Sequence, residues 1–388
     1  VKKLCVIDAR SESIPMLYKL VHFLPIILLM LSNAACPIIL YRENSENPLK
    51  HDNPSEEMKP DPTFERTPEK DIPDDSILTI NEAHSFWADY LVYTKDGKSI
   101  YSSDARQIKK WDTKTGKMLS AGNDEKYVLR SLNLSPDEKY IVTAGEEIEL
   151  RSPDDCKIIK TSSFYKDKKG INPNSANFTP DGKYIVGADQ EAIWLFTVKD
   201  LKPFSIIEEL PQEYINVITF NSGGTIMACC GYENYIRLYD ARSWKPIKII
   251  ENLQDHPTCL AFSPNDEYLA AGLWDGEIIL FSLDPLIVKY NYFGEEKVIQ
   301  SIAFSPDGKL LASGGTQFTE NMLNIGPSVK IWSVETGELL HEYKGHGTFI
   351  TVVTFNPDGK ILVSAGGSKS GAGVCIKFWS VNDVYNKK

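Results

Sequence analysis

One repeated phrase constrains this chain more than any other feature. Residues 298–315 read VIQSIAFSPDGKLLASGG, two short apolar runs joined by Ser305-Pro306-Asp307-Gly308. Proline presets φ inside such a turn and glycine accepts the positive φ that closes it. Val298, Ile299, Ile302 and Phe304 make the first run. Leu310, Leu311 and Ala312 begin the second and Gly314-Gly315 end it, which predicts a strand, a tight turn and a strand. With the phenylalanine of AFSPDG as a phase marker, the equivalents are Tyr93, Leu134, Phe178, Phe220, Phe262, Phe304 and Phe355. The steps between them are 41, 44, 42, 42, 42 and 51 residues. A period in the low forties built from strands alone predicts four-stranded blades set around an axis, a β-propeller.

A third strand in each copy ends on an aromatic residue or its substitute: IKKWD at 108–112, IWLF at 193–196, IRLYD at 236–240, IILF at 278–281, VKIWS at 329–333 and IKFWS at 376–380. In the second copy Arg151 stands at that position. These segments resemble the WD-repeat family, and the resemblance runs from Ile77 to the end of the chain. It implies an all-β, seven-bladed WD-repeat propeller. The seventh copy ends its third strand near Val381 with seven residues to follow, too few for a fourth. SILTINEAHSF at 76–86 aligns with ELLHEYKGHGTF at 338–349, pairing Ala83-His84 with Gly345-His346. In this family an amino-terminal strand completes the last blade and removes an open edge, so residues 77–81 are expected as that strand.

Before the propeller lie two other segments. Residues 1–36 read as a signal peptide or membrane anchor: from Met16, a basic MLYK, the apolar LVHFLPIILLML, then SNAAC. Met16 is a better start than Val1. Ala34-Ala35-Cys36 resembles the lipobox of bacterial lipoproteins, which implies lipidation at Cys36, although Asn33 stands where that family has leucine. Cleavage without lipidation and an uncleaved helix long enough to span a bilayer are the alternatives. Residues 37–75 read as a disordered acidic, proline-rich linker; 42–76 hold six prolines and 11 acidic against five basic side chains. The propeller is expected over 76–388.

Net charge is −11, which argues against general nucleic-acid binding, since that needs a basic face. Seven cysteines show no CxxC pair or metal-ligand spacing and read mostly as buried thiols. The family resemblance implies polar sets that brace blades. Blade one offers His84, Ser102 and Trp111, with Asp104 nearby but off phase; blade five offers His256 and Asp275; blade seven offers His346, Ser364 and Trp379. Positions one and three before each marker are expected to line the channel, and none is Asp, Glu, His, Lys or Arg. A channel so lined lacks a general acid or base, so no catalytic residue, cofactor or metal is expected. TKTGK at 113–117 is similar to segments of quinone-cofactor propellers, but the tryptophan that follows it there is absent.

Partner-binding residues are expected on the face that carries the loops entering strand one and those between strands two and three. Trp87, Tyr214 and Phe349 stand six residues before their markers, and Tyr127 stands one step earlier in blade two. Ser313 and Trp332 are 19 apart, and Ser364 and Trp379 are 15 apart. This longer spacing raises two loops, at 316–328 and 368–374, with Thr316, Asn321 and Ser368 as candidate contacts. The reading is a non-catalytic scaffold, exported and membrane-tethered through its amino-terminal segment, that binds a protein or peptide. A small-molecule enzyme on a propeller (lactonase-like or quinoprotein-like) and a cytoplasmic scaffold are the alternatives.

Overall fold

The computed structural model describes residues 74–123, 128–165, 172–210, 214–293, 298–316, 328–368 and 373–385. These residues form seven four-stranded antiparallel sheets. Each opens on a strand that ends at its marker: Tyr90–Tyr93, Ser131–Leu134, Ser175–Phe178, Ile215–Phe220, Pro257–Phe262, Val298–Phe304 and Ile350–Phe355. Each of these innermost strands packs against that of the next blade, and the first packs against the seventh, so the ring closes. The core is divided the same way. Seven apolar clusters each join two neighbouring blades, as where Ile100 and Trp111 of blade one meet Val363 and Phe378 of blade seven.

The turn after each marker needs a left-handed residue at its fourth position. Gly97, Gly182, Gly224, Gly308 and Gly359 supply it with φ between 63° and 74°. Blades two and five place Glu138 and Asp266 there, at φ 57° and 60°. An L-residue in this region is strained by about 1–2 kcal/mol. Both carboxylates cross to an adjacent turn. Asp266 accepts from Ser222 N at 2.7 Å, Gly223 N at 2.8 Å and Asn221 Nδ2 at 3.0 Å, and Glu138 accepts from Lys95 N. Charge-assisted bonds of this kind offset the strain.

Leu78–His84 pairs antiparallel with Val374–Ser380, bringing Leu78 opposite Phe378 and Ile80 opposite Ile376. The amino-terminal strand is therefore the outermost strand of the seventh blade. It begins one residue later and runs three residues further than the alignment suggests. Asp75 N already donates to Lys344 O at 3.3 Å, and Asp74 contacts Lys377, so the described fold reaches slightly into the segment read as linker. At the other end, Asn382–Tyr385 forms one helical turn that buries Val384 near Trp379. Among the described residues, no helix is long and apolar enough to cross a membrane. Cys36 and the rest of the signal-like segment lie outside the described residues.

Candidate functional site: the rim of the propeller

The polar sets lie beneath the rim. In blade one, His84 Nε2 meets Ser102 Oγ at 2.6 Å, and Trp111 Nε1 donates to the same hydroxyl at 2.7 Å. Asp104, off phase in the sequence, nonetheless reaches His84: Oδ2 lies 3.2 Å from Nδ1, a close electrostatic contact. Its other oxygen accepts Arg106 N and Gln107 N and fixes the turn that follows. Burial lowers the His84 pKa although Asp104 pulls it up. In blade seven, His346 Nε2 meets Ser364 Oγ at 2.7 Å and Trp379 Nε1 donates to it at 2.8 Å. No aspartate fits there, because a Cβ at Gly366 would lie 2.8 Å from His346 Nδ1. The Cys375 thiol takes that place, 3.4 Å from Nδ1. Burial drives the His346 pKa down to about 3, so this imidazole is neutral.

Blade five is arranged differently from the sequence reading. His256 stands six residues before its marker, whereas His84 and His346 stand nine before theirs. It therefore sits on the rim: Nδ1 bonds Asp255 Oδ1 at 2.8 Å and the ring stacks on Trp274 with centroids 5.2 Å apart. Asp275 accepts Glu277 N within its own turn at 3.1 Å. Blade two substitutes a charge for the aromatic. Arg151, 1 % exposed, reaches Thr143 Oγ1 at 3.4 Å from Nε and Glu149 Oε2 at 2.5 Å from Nη2. A buried guanidinium is tolerated there because its counter-charge stands two residues away on the same strand.

Several of the polar side chains read as channel-lining bond across to the next blade. Asn133 Nδ2 donates to Ala176 O at 2.9 Å, Asn177 Nδ2 to Ile218 O at 3.3 Å, and Ser301 Oγ accepts Val353 N at 3.1 Å. These groups join the innermost strands. Among the described residues, no group of three His, Cys, Asp or Glu side chains is placed to hold a metal ion. Of the cysteines described, Cys156, Cys229, Cys230 and Cys375 are buried and Cys259 is partly so.

In blades four and seven, rim geometry follows from a glycine at the end of strand two. A Cβ at Gly231 would fall 1.5 Å from Tyr214 O, and one at Gly366 would fall 2.2 Å from Phe349 O. The missing side chain lets the residue six before the marker lie flat on that strand. The residue twelve after the marker bonds to it: Trp274 N donates to His256 O at 3.1 Å, and Gly367 N to Phe349 O at 3.0 Å. Two aromatic groups line the rim. Trp87 and Phe349 meet with centroids 4.7 Å apart. Across blades four and five, Tyr214, Tyr232, His256 and Trp274 form a continuous row with centroid steps of 5.6, 6.0 and 5.2 Å. Tyr214 is 39 % exposed and the other three are partly exposed.

Residues 244–282, 288–333 and 337–371 match the family described as WD domain, G-beta repeat. The propeller carries WD40 repeats. Among curated relatives, this chain is similar to the WD repeat-containing protein SL1-17 of Schistosoma mansoni, 28% identical over 190 residues, 49% of this chain and 58% of that protein. It is also similar to human apoptotic protease-activating factor 1, 34% identical over 110 residues, 26% of this chain and 8% of that protein. The chain thus spans less than two thirds of the length of either relative. The β-propeller domain of Cps50 (Swd1) from Myceliophteria thermophila superimposes with a TM-score of 0.65 at 16% identity, over 80% of this chain and all of that domain. At that identity the likeness is one of fold. The relatives named are eukaryotic, whereas the Ala34-Ala35-Cys36 resemblance is to a bacterial signal.

On this WD40 propeller, the structure brings Trp87 and Phe349 together and places Tyr214 at one end of the aromatic row. Thr316 and Ser368 stand where their loops leave the described strands; Asn321 and Tyr127 lie outside the described residues. Sequence reasoning missed Tyr232 and Trp274 and assigned His256 to bracing. A repeat-phase signal was available. His256 shares its offset with Trp87, Tyr214 and Phe349, and Tyr232 and Trp274 both stand twelve after a marker.

Proposed function

We propose that this chain is a non-catalytic interaction scaffold that binds a protein or peptide on the rim bearing the Trp87–Phe349 pair and the Tyr214–Trp274 row. One observation carries the reading: aromatic side chains gather at two repeat offsets on a single face and keep surface open to solvent. A few residues carry most of the affinity where proteins meet, and tryptophan, tyrosine and arginine are enriched among them. The polar groups beneath the rim are occupied with one another, which leaves the rim for contact. Propellers with WD40 repeats typically bind protein partners, in agreement with this reading. Residues 16–36 are proposed to export or tether the chain at a membrane, on the strength of their apolar sequence.

A displayed peptide library panned against the full chain tests the proposal. Peptides enriched on the wild type should be lost from a Trp87→Ala/Tyr214→Ala variant of unchanged melting temperature. Equal enrichment on both proteins, or none on either, contradicts it.

A further inference from the structure

The row on blades four and five stands among several carboxylates. Three of its rings, Tyr232, His256 and Trp274, are carried by the loops GYENY at 231–235, ENLQDHP at 251–257 and LWDGE at 273–277, and Tyr214 stands just before the strand Ile215–Phe220. These loops contain Glu233, Glu251, Asp255, Asp275 and Glu277 and no lysine or arginine. Glu251 and Asp275 are exposed and Asp255 is partly so. The carboxylates have distinct roles. Asp255 accepts the His256 ring nitrogen and Asp275 caps its own turn, so both are fixed beside the rings. Glu277 is buried and engaged by Asn291 Nδ2 at 2.7 Å.

Elsewhere on the propeller, next to Trp87 in sequence, Arg106 lies over Phe86 with its guanidinium 5.3 Å from the ring centroid. The same chemistry recurs on the outer wall, where Lys289 Nζ sits 4.2 Å over Tyr268. Face-on aromatic rings attract a cation through their quadrupole, and fixed carboxylates at their edges add a charge-assisted partner. Rings beside fixed carboxylates favour a positively charged guest and repel an acidic one.

The geometry points to the Tyr214–Tyr232–His256–Trp274 row as the docking site for a cationic peptide segment, whose lysine or arginine side chains lie over the rings with their charges toward Asp255 and Asp275. This rests on the rim being the interaction face and adds the chemistry of the partner. Four rings at steps of 5.2 to 6.0 Å span the reach of several peptide residues in extended form. The site therefore reads a short basic stretch better than a single charge.

Three fluorescent peptide pools of equal length, one rich in lysine and arginine, one neutral and one acidic, test the assignment by polarisation against the full chain. The cationic pool should bind, with affinity that falls as salt rises. Binding should weaken about tenfold or more in Tyr232→Ala/Trp274→Ala and again in Asp255→Asn/Asp275→Asn. The second variant keeps the rings and so separates charge from packing. Preference for the neutral or acidic pool, or a cationic affinity indifferent to both variants, overturns the cationic assignment. If the preferred pool is instead sensitive to Trp87→Ala, the rim remains the interaction face. Binding by no pool overturns both.

Discussion

Lys377 Nζ donates to Asp74 Oδ2 at 2.5 Å, joining residues 303 apart in sequence across the seam where the ring closes. Lys377 is 3 % exposed, and its ammonium also lies 3.1 Å from Thr79 Oγ1. Asp74 in turn accepts Ser76 Oγ at 2.7 Å. Partial burial would raise its pKa, yet the bonds from Lys377 and Ser76 outweigh that and hold it below the usual carboxylate range. The closing strand is thus fastened at its first turn as well as along its ladder.

Asp74→Ala should therefore lower stability by about 1–3 kcal/mol, less than for a fully buried pair because the carboxylate is partly exposed. Removing residues 1–73 should leave the melting temperature unchanged, whereas removing 1–86 should lower it sharply by exposing the edge of Val374–Ser380. Thermal unfolding of the three proteins checks this, and equal melting temperatures would contradict it.

Asp266→Gly presents two opposed effects. The glycine relieves positive φ, a gain of about 1 kcal/mol, but removes acceptors from Ser222 N, Gly223 N and Asn221 Nδ2. Lost hydrogen bonds to a charged group cost about 1.5–3 kcal/mol, so the variant should be less stable by denaturant unfolding. Pro306-Asp307-Gly308→Pro-Asp-Ala, where only strain is added, gives the reference for the φ effect.

His346 carries a pH signature. Its pKa falls from the ordinary 6.5 to about 3 in the folded state. The unfolded chain therefore takes up a proton that the folded chain refuses. The stability this group provides is complete above pH 6.5 and is lost as pH falls toward 3, by up to about 1.4 kcal/mol per pH unit. Between pH 6.5 and 4.5, His346→Gln should show a shallower fall in stability than the wild type. Groups common to both proteins cancel in that comparison, and parallel curves would contradict the buried neutral imidazole.

The repeat made the ring legible in the sequence because its markers fall at strand ends and its turns use chemistry that few residues can supply. Closure was legible too, since Ala83-His84 repeats Gly345-His346. The rim was legible only in part. Phase alone places a residue on the face, but whether it braces or projects depends on three residues of offset, as His256 against His346 demonstrates. Asp104 misled in the opposite direction: the turn after Ser99–Ser103 swings its carboxylate back to His84. Arg151 stands in sequence where the repeat has an aromatic, and its accommodation was not legible because Thr143 becomes its neighbour only when the strands pair, while Glu149, two residues away, shares its face only once the segment is a strand.

Cys36 provides a test of the amino-terminal reading. If it is acylated, a labelled fatty acid should mark the wild type and not Cys36→Ser; a single chain would give only marginal membrane binding. Absence of label from both proteins would assign the segment to a plain signal peptide or an uncleaved helix.

Hydrogen exchange on the full chain, with and without a peptide selected by panning, tests the rim as the binding face. Bound peptide should bring new protection to loops that carry the rings, 85–89, 231–235 and 273–277, with the turns at Gly97, Gly224 and Gly308 on the opposite face unchanged. Protection confined to those turns or to the outer strands would contradict the rim as the binding face.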